Sequence, residues 1–99
     1  NLAREYSHLI RGALGKKVKR IVLFGSRARG DSRESSDYDV LVVVDRRTAA
    51  VRKTVVDAGV AMLDRYDTLF AALLYGEKEW RKLSAFPLAW NIRKEGLAI

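Results

Sequence analysis

The 99-residue chain contains no cysteine and only one proline, one methionine and one histidine. The missing cysteines exclude disulfides and thiolate metal sites, and fit a reducing cytoplasm. No apolar run approaches the roughly 20 residues of a membrane span, and the start shows no signal-peptide pattern. A cytoplasmic protein with no membrane partner is therefore expected. Repeats, low-complexity tracts and linker-like stretches are also missing, which predicts one domain over residues 1–99. The lone His8 has no second His or Cys, and no nearby acid pair, with which to share a metal. It reads as a surface or helix-packing residue. Acidic side chains are the scarcer charge, 12 against 19 basic, and the net charge of +7 favours a polyanionic ligand. A nucleotide, an RNA and an acidic protein surface all qualify.

Leu2, Tyr6, Leu9, Ile10 and Ala13 fall at helical spacing, and Gly15 follows as a stop. Val18 to Phe24 predicts a central strand, and Gly25 to Gly30 a turn with a short helix. Asp31 to Ser36 is polar throughout and reads as an exposed loop. Tyr38 to Val44 predicts a second strand, too apolar on both faces for an exposed edge. A helix over Ala49 to Leu63 turns Val51, Val55, Ala58 and Met62 inward, with Thr48 as its N-cap. Thr68 to Leu74 predicts a third strand, Glu77 to Leu83 a short helix, and Pro87 the first turn of a last helix ending at Gly96. The alternation predicts an α/β (α+β) fold, a small mixed sheet with helices packed on it.

The chemistry concentrates at Leu23-Phe24-Gly25-Ser26-Arg27-Ala28-Arg29-Gly30-Asp31 and at Ser36-Asp37-Tyr38-Asp39-Val40. Side chains alternate along a strand, so Asp37 and Asp39 share a face, about 6.6 Å apart along it. That spacing suits two carboxylates gripping a pair of divalent ions about 3.5–4 Å apart, the arrangement of in-line phosphoryl chemistry. The neighbouring turn offers backbone N–H groups, a hydroxyl and two guanidiniums, which is what a triphosphate needs. These residues point to nucleotide transfer.

Three rival readings weaken on inspection. Gly25 to Gly30 has the spacing of a P-loop, but the Lys and Ser/Thr that should follow are Asp31 and Ser32. Arg29-Gly30-Asp31 matches an adhesion tripeptide in a chain with no extracellular feature. Asp37 and Asp39 as mere partners of nearby arginines would leave two costly carboxylates on one strand face. Lys16-Lys17-Val18-Lys19-Arg20 enters the first strand some 20 Å from the turn and is a solvated strand entrance. Trp80 and Trp90 read as packing anchors, whereas an exposed tryptophan or the Ala71-Ala72-Leu73-Leu74-Tyr75 run could instead mark a protein interface.

Phe24-Gly25-Ser26-Arg27-Ala28-Arg29-Gly30, the polar loop, and Ser36-Asp37-Tyr38-Asp39-Val40-Leu41-Val42 resemble the signature of the minimal nucleotidyltransferases. These belong to the DNA polymerase β-like nucleotidyltransferase superfamily. The resemblance covers Ile21 to Val44. The tail from Lys78 to Ile99 also looks like the ending of stand-alone bacterial and archaeal members, among them MntA-type antitoxins of HEPN/MNT toxin–antitoxin pairs. It implies the polymerase β-like nucleotidyltransferase fold. It implies that Gly25 and Ser26 hold the β- and γ-phosphates of ATP or another nucleoside triphosphate, with Arg27 or Arg29 neutralising them. Asp37 and Asp39 would bind two Mg²⁺ ions. A third carboxylate on the next strand is usual in such sites. Asp67 is the first candidate and Asp64 the second, although Arg65-Tyr66 before Asp67 and Thr68 after it depart from the apolar flanks of the pattern.

The implied activity is Mg²⁺-dependent transfer of AMP from ATP to a hydroxyl of a partner protein. By family analogy that partner is a HEPN-domain ribonuclease toxin, adenylylated on tyrosine by its antitoxin. A catalytically degenerate protein that neutralises its partner by binding alone is the alternative. A subunit acting on RNA or a small-molecule hydroxyl is less favoured.

Overall fold

Strands β1 (Val18–Phe24) and β2 (Tyr38–Val44) carry the most apolar runs of the chain and lie beside each other in the middle of a four-stranded sheet. The computed structural model describes residues 1–30 and 37–99. The stretch expected as an exposed loop, Asp31 to Ser36, lies outside the described residues. β1 and β2 pair antiparallel, from Phe24 beside Asp39 to Val18 beside Val44, with an irregularity between Val18 and Arg20. β3 (Phe70–Gly76) adds to β2 in parallel, and the two-residue β4 (Leu97–Ala98) adds to β1 antiparallel. The sheet order is β3-β2-β1-β4. A mixed sheet with helices packed on it is thus what the chain forms.

Helix α1 (Leu2–Leu14) starts where the Asn1 side chain accepts the Arg4 N–H at 3.0 Å. A 3₁₀ turn, Gly15–Lys17, then delivers the chain to β1. Helix α2 (Ser26–Arg29) is one turn between Gly25 and Gly30, both with positive φ. Helix α3 (Ala49–Tyr66), capped by Thr48 Oγ1 on the Val51 N–H, is the crossover that makes β2 and β3 parallel. Its buried residues are Val51, Val55, Ala58 and Met62, the four that helical spacing selects. Helices α4 (Glu77–Leu83) and α5 (Pro87–Glu95) lead from β3 to β4.

The sheet separates two apolar clusters. α1 and α3 cover one face, where Tyr6 and Met62 meet Val40, Val42, Val44 and Phe70. Trp80, Ala89 and Ile92 of α4 and α5 cover the other, against Val22, Leu41 and Val43. Each methylene removed from water in these layers contributes about 0.8 kcal/mol. Among the described residues no helix is long and apolar enough to cross a membrane.

Some sequence expectations shift. α3 runs three residues beyond Leu63, so β3 begins at Phe70 rather than Thr68. Tyr66 continues the helical face, and the chain reverses at Asp67, whose φ of 51° lets its N–H reach the Leu63 carbonyl. β4 was not foreseen, because two exposed residues carry no periodicity. Trp80 packs as expected, but Trp90 is 54% exposed, with the Lys94 ammonium 4.8 Å from its ring centroid.

Candidate active site

Asp39 is the second residue of β2, and Asp37 lies just before the strand. Tyr38 and Val40 point into the α1/α3 cluster and Leu41 and Val43 into the α4/α5 cluster, so Asp39 faces the α4/α5 side. Across the sheet Asp39 registers with Phe24 on one side and Ala71 on the other. The residue after Phe24 is Gly25, and the strand pairing therefore seats the glycine turn directly on the carboxylate. A β-carbon at Gly25 would fall 2.5 Å from Asp39 Oδ2. Only glycine permits this contact, and its φ of 76° is one that L side chains rarely adopt.

The turn closes on itself: the N–H groups of Ala28 and Arg29 donate to the Gly25 carbonyl, and that of Gly30 to Ser26. Ser26 is left at the head of α2, next to the Gly25 that meets Asp39. Burial raises the pKa of Asp39 above the usual carboxylate value, the Asp37 charge raises it further, and the Arg29 guanidinium opposes both. Two acids and an arginine therefore feel one another at this end of the sheet. Arg29 also bridges to Glu95 of α5, Nη1 to Oε2 at 3.2 Å. The two arginines of the turn separate. Arg27 lies over the Tyr38 ring at 4.4 Å, and Tyr38 stacks on Phe70 at 4.5 Å. That column belongs to the α1/α3 face, opposite the carboxylates.

Asp67 and Asp64 stand apart from this cluster. Asp67 is the exposed C-cap of α3 and precedes β3, and Asp64 is exposed in the last turn of that helix. The β3 position beside Asp39 is Ala71. Among the described residues no three His, Cys, Asp or Glu side chains gather as a metal would need. The pair Asp37 and Asp39 still fits a hard divalent cation. Its donors are carboxylate oxygens, and a cation would relieve the repulsion and desolvation that now disfavour the Asp39 anion. Sequence reasoning missed Glu95, which lies 66 residues from Arg29 and carries no local signal of that pairing.

Residues 9–93 match a family model described as a nucleotidyltransferase domain. The chain is 30% identical over 93 residues to MJ0604 of Methanocaldococcus jannaschii, which bears the name of a protein adenylyltransferase. That alignment spans 94% of this chain and 89% of the relative. MJ0141 of the same organism, named likewise, is 33% identical over 75 residues, 75% of this chain and 76% of its own length. Two solved structures share the fold. A toxin–antitoxin with AMP-PNP gives a TM-score of 0.65 at 18% identity, over 95% of this chain and 69% of that one. A Y104A form of the MntA–HpeT toxin–antitoxin gives 0.67 at 17% identity, over 97% and 69%. The chain belongs to the nucleotidyltransferase domain family, and its enzyme class is nucleotidyltransferase. The α/β arrangement described above is the fold of these neighbours.

Proposed function

We propose that the protein transfers AMP from ATP to a hydroxyl of a partner protein, as an antitoxin that adenylylates a HEPN-domain ribonuclease toxin. The carrying observation is the contact of Gly25 with Asp39, which seats the Gly25-Ser26 turn on the strand that carries the carboxylates. The relatives' name, protein adenylyltransferase, supports the acceptor class, and the toxin–antitoxin neighbours support a protein partner.

In this reading Gly25 and Ser26 receive the β- and γ-phosphates, and Arg29 neutralises them from the carboxylate side. Arg27, stacked on Tyr38, holds the turn against the sheet. Asp37 and Asp39 would hold Mg²⁺, two ions in the full site. When bound, Mg²⁺ supplies charge neutralisation at the phosphates and a more acidic acceptor hydroxyl. The hydroxyl oxygen bonds to the α-phosphorus, the bond from that phosphorus to the bridging oxygen breaks, pyrophosphate leaves, and the proton is released to water. Asp67, the third carboxylate the sequence suggested, caps α3, and Ala71 takes the place beside Asp39, so the reading assigns Asp67 no metal.

The test incubates the chain with Mg²⁺, α-labelled ATP and a purified HEPN toxin. Label on the toxin, lost in Asp37→Ala/Asp39→Ala while that variant stays folded, is the expected result. Asp67→Asn is expected to keep transfer within about tenfold, because Ala71 occupies the place beside Asp39. A folded wild type that binds Mg·ATP and labels nothing would overturn the proposal. One observation favours a second reading, neutralisation by binding alone: the described residues hold no third acid at the pair. It predicts that the double variant still neutralises the toxin.

A further inference from the structure

β3 is the edge of the sheet, and α3 runs beside it with an unusual outer face. Val56, Val60 and Leu63, spaced as one helical stripe, are 57%, 57% and 45% exposed. Leu69, 48% exposed, continues the stripe onto the approach to β3. Together with Leu73 these residues line a groove of about 440 Å³, and among the described residues the only charged side chains lining it are Arg47 and Arg52. Solvent-facing apolar stripes of this kind mark interaction sites.

The groove follows β3, the strand next to the one that carries Asp39. The Leu69 carbonyl accepts the Tyr38 N–H at 3.0 Å, which places Leu69 level with Asp37. Ala71 registers with Asp39 and Leu73 with Leu41. An occupant of the groove therefore lies along the β3 edge, one strand from β2, on the α3 face of the sheet, whereas Asp39 faces the α4/α5 side.

Strand addition is the usual fate of an open edge, but here the edge is guarded. The outward carbonyl of Leu74 accepts Arg47 Nη1 at 3.3 Å, and that of Phe70 lies against Gly59 of α3. What remains open is the side-chain groove, suited to a helix laid along the α3 stripe. Charge selects among occupants. Arg47 is paired with Glu79, whereas Arg52 makes no ion pair with a described residue, so the groove presents an uncompensated cation at one end. A second copy of a chain with net charge +7 would add like charge, whereas an acidic partner would remove it.

We propose that this groove docks an amphipathic helix of the acceptor protein, its apolar face on Val56, Val60, Leu63 and Leu69 and its carboxylates toward Arg52. Naming the occupant as the acceptor rests on the protein-adenylylation reading above. In this placement the acceptor is held along the β3 edge, one strand from β2.

Two synthetic helical peptides of roughly five turns test it, both with a Leu/Ile stripe, one flanked by Glu and the other by Lys. Amide NMR shifts report where each binds. The Glu peptide is expected to shift residues of α3 and β3 and to bind at least tenfold tighter than the Lys peptide. Arg52→Glu should remove that preference. Val60→Glu, a solvent-facing change, should abolish binding, with Mg·ATP affinity serving as the control for folding. Equal binding of both peptides, or shifts elsewhere, would overturn the proposal. So would a wild-type dimer in sedimentation that Val60→Glu splits, since the face would then belong to a second copy. Labelling of the HEPN toxin is measured separately. Docking without transfer sinks the adenylylation reading alone, and transfer unchanged in Val60→Glu sinks the groove alone.

Discussion

Gly25 and Asp39 touch across the β1–β2 pair, at a separation that leaves no room for a β-carbon on the glycine. Gly25→Ala combines this clash with a backbone conformation foreign to L residues. It is expected to cost about 1–3 kcal/mol of stability in urea denaturation. Because the turn and carboxylate must separate, transfer should fall by about 10²-fold beyond what unfolding explains. Full activity in a folded Gly25→Ala protein would show that their contact is not used.

The arginines of the turn should differ in their kinetic effects. Arg29 lowers the pKa of Asp39 and so acts on the carboxylate side, whereas Arg27 is stacked on Tyr38. Arg29→Ala is expected to reduce kcat/KM for ATP by about 10²-fold, the scale of one lost charge-stabilising donor. Arg27→Ala should lose less than about tenfold. The reverse order would mean that Arg27 leaves its ring to meet the phosphates.

Asp39 ties function to a stability deficit. Its folded pKa is raised, so the native state holds its proton more tightly than the unfolded chain does. Stability therefore falls as pH climbs through the ordinary carboxylate range, and the penalty is complete above the folded pKa. Asp39→Asn is expected to melt a few degrees above wild type at neutral pH, with the gap closing in acid. Added Mg²⁺ should raise the melting temperature of wild type only. Thermal scans from pH 3 to 8 decide it, and equal melting at neutral pH would remove the burial argument.

Tyr6 supplies a purely structural test. Its ring is fully buried and stacks on Phe70 at 4.5 Å, yet its hydroxyl has no hydrogen-bond partner among the described residues. Burial accordingly drives its pKa well upward. Tyr6→Phe keeps the stack and deletes the stranded hydroxyl, a gain of about 1 kcal/mol. Tyr6→Ala, which empties the core, should cost about 3–5 kcal/mol. A loss in Tyr6→Phe would reveal a partner for that oxygen.

What the sequence disclosed depended on range. β2 was legible because every residue from Val40 to Val44 is apolar, and the alternation that places Asp39 opposite Tyr38 follows from strand geometry alone. The inner face of α3 was equally plain, since burial imposes the helical period on it. The outer stripe at Val56, Val60 and Leu63 obeys the same chemistry with nothing covering it, so composition could not separate core from surface. Trp90, too, left packing and exposure open for that reason. The offset of Asp67 turned on where α3 stops, three residues later than periodicity suggests. Pairings such as Arg29 with Glu95 arise only when the tail packs back.

That return of the tail also imposes an order of events. β4 is the second neighbour of β1, Ser7 Oγ donates to the Ile99 carbonyl 92 residues away, and Glu95 reaches Arg29 across 66. Closing such long loops carries an entropy cost that shorter loops avoid, whereas β1, β2 and β3 are joined by nearer connections. A folding chain can thus assemble its glycine turn and carboxylate pair before Glu95 reaches Arg29. The Arg29–Glu95 contact at the site depends on a long-range return of the chain that the β1–β2–β3 pairing does not need.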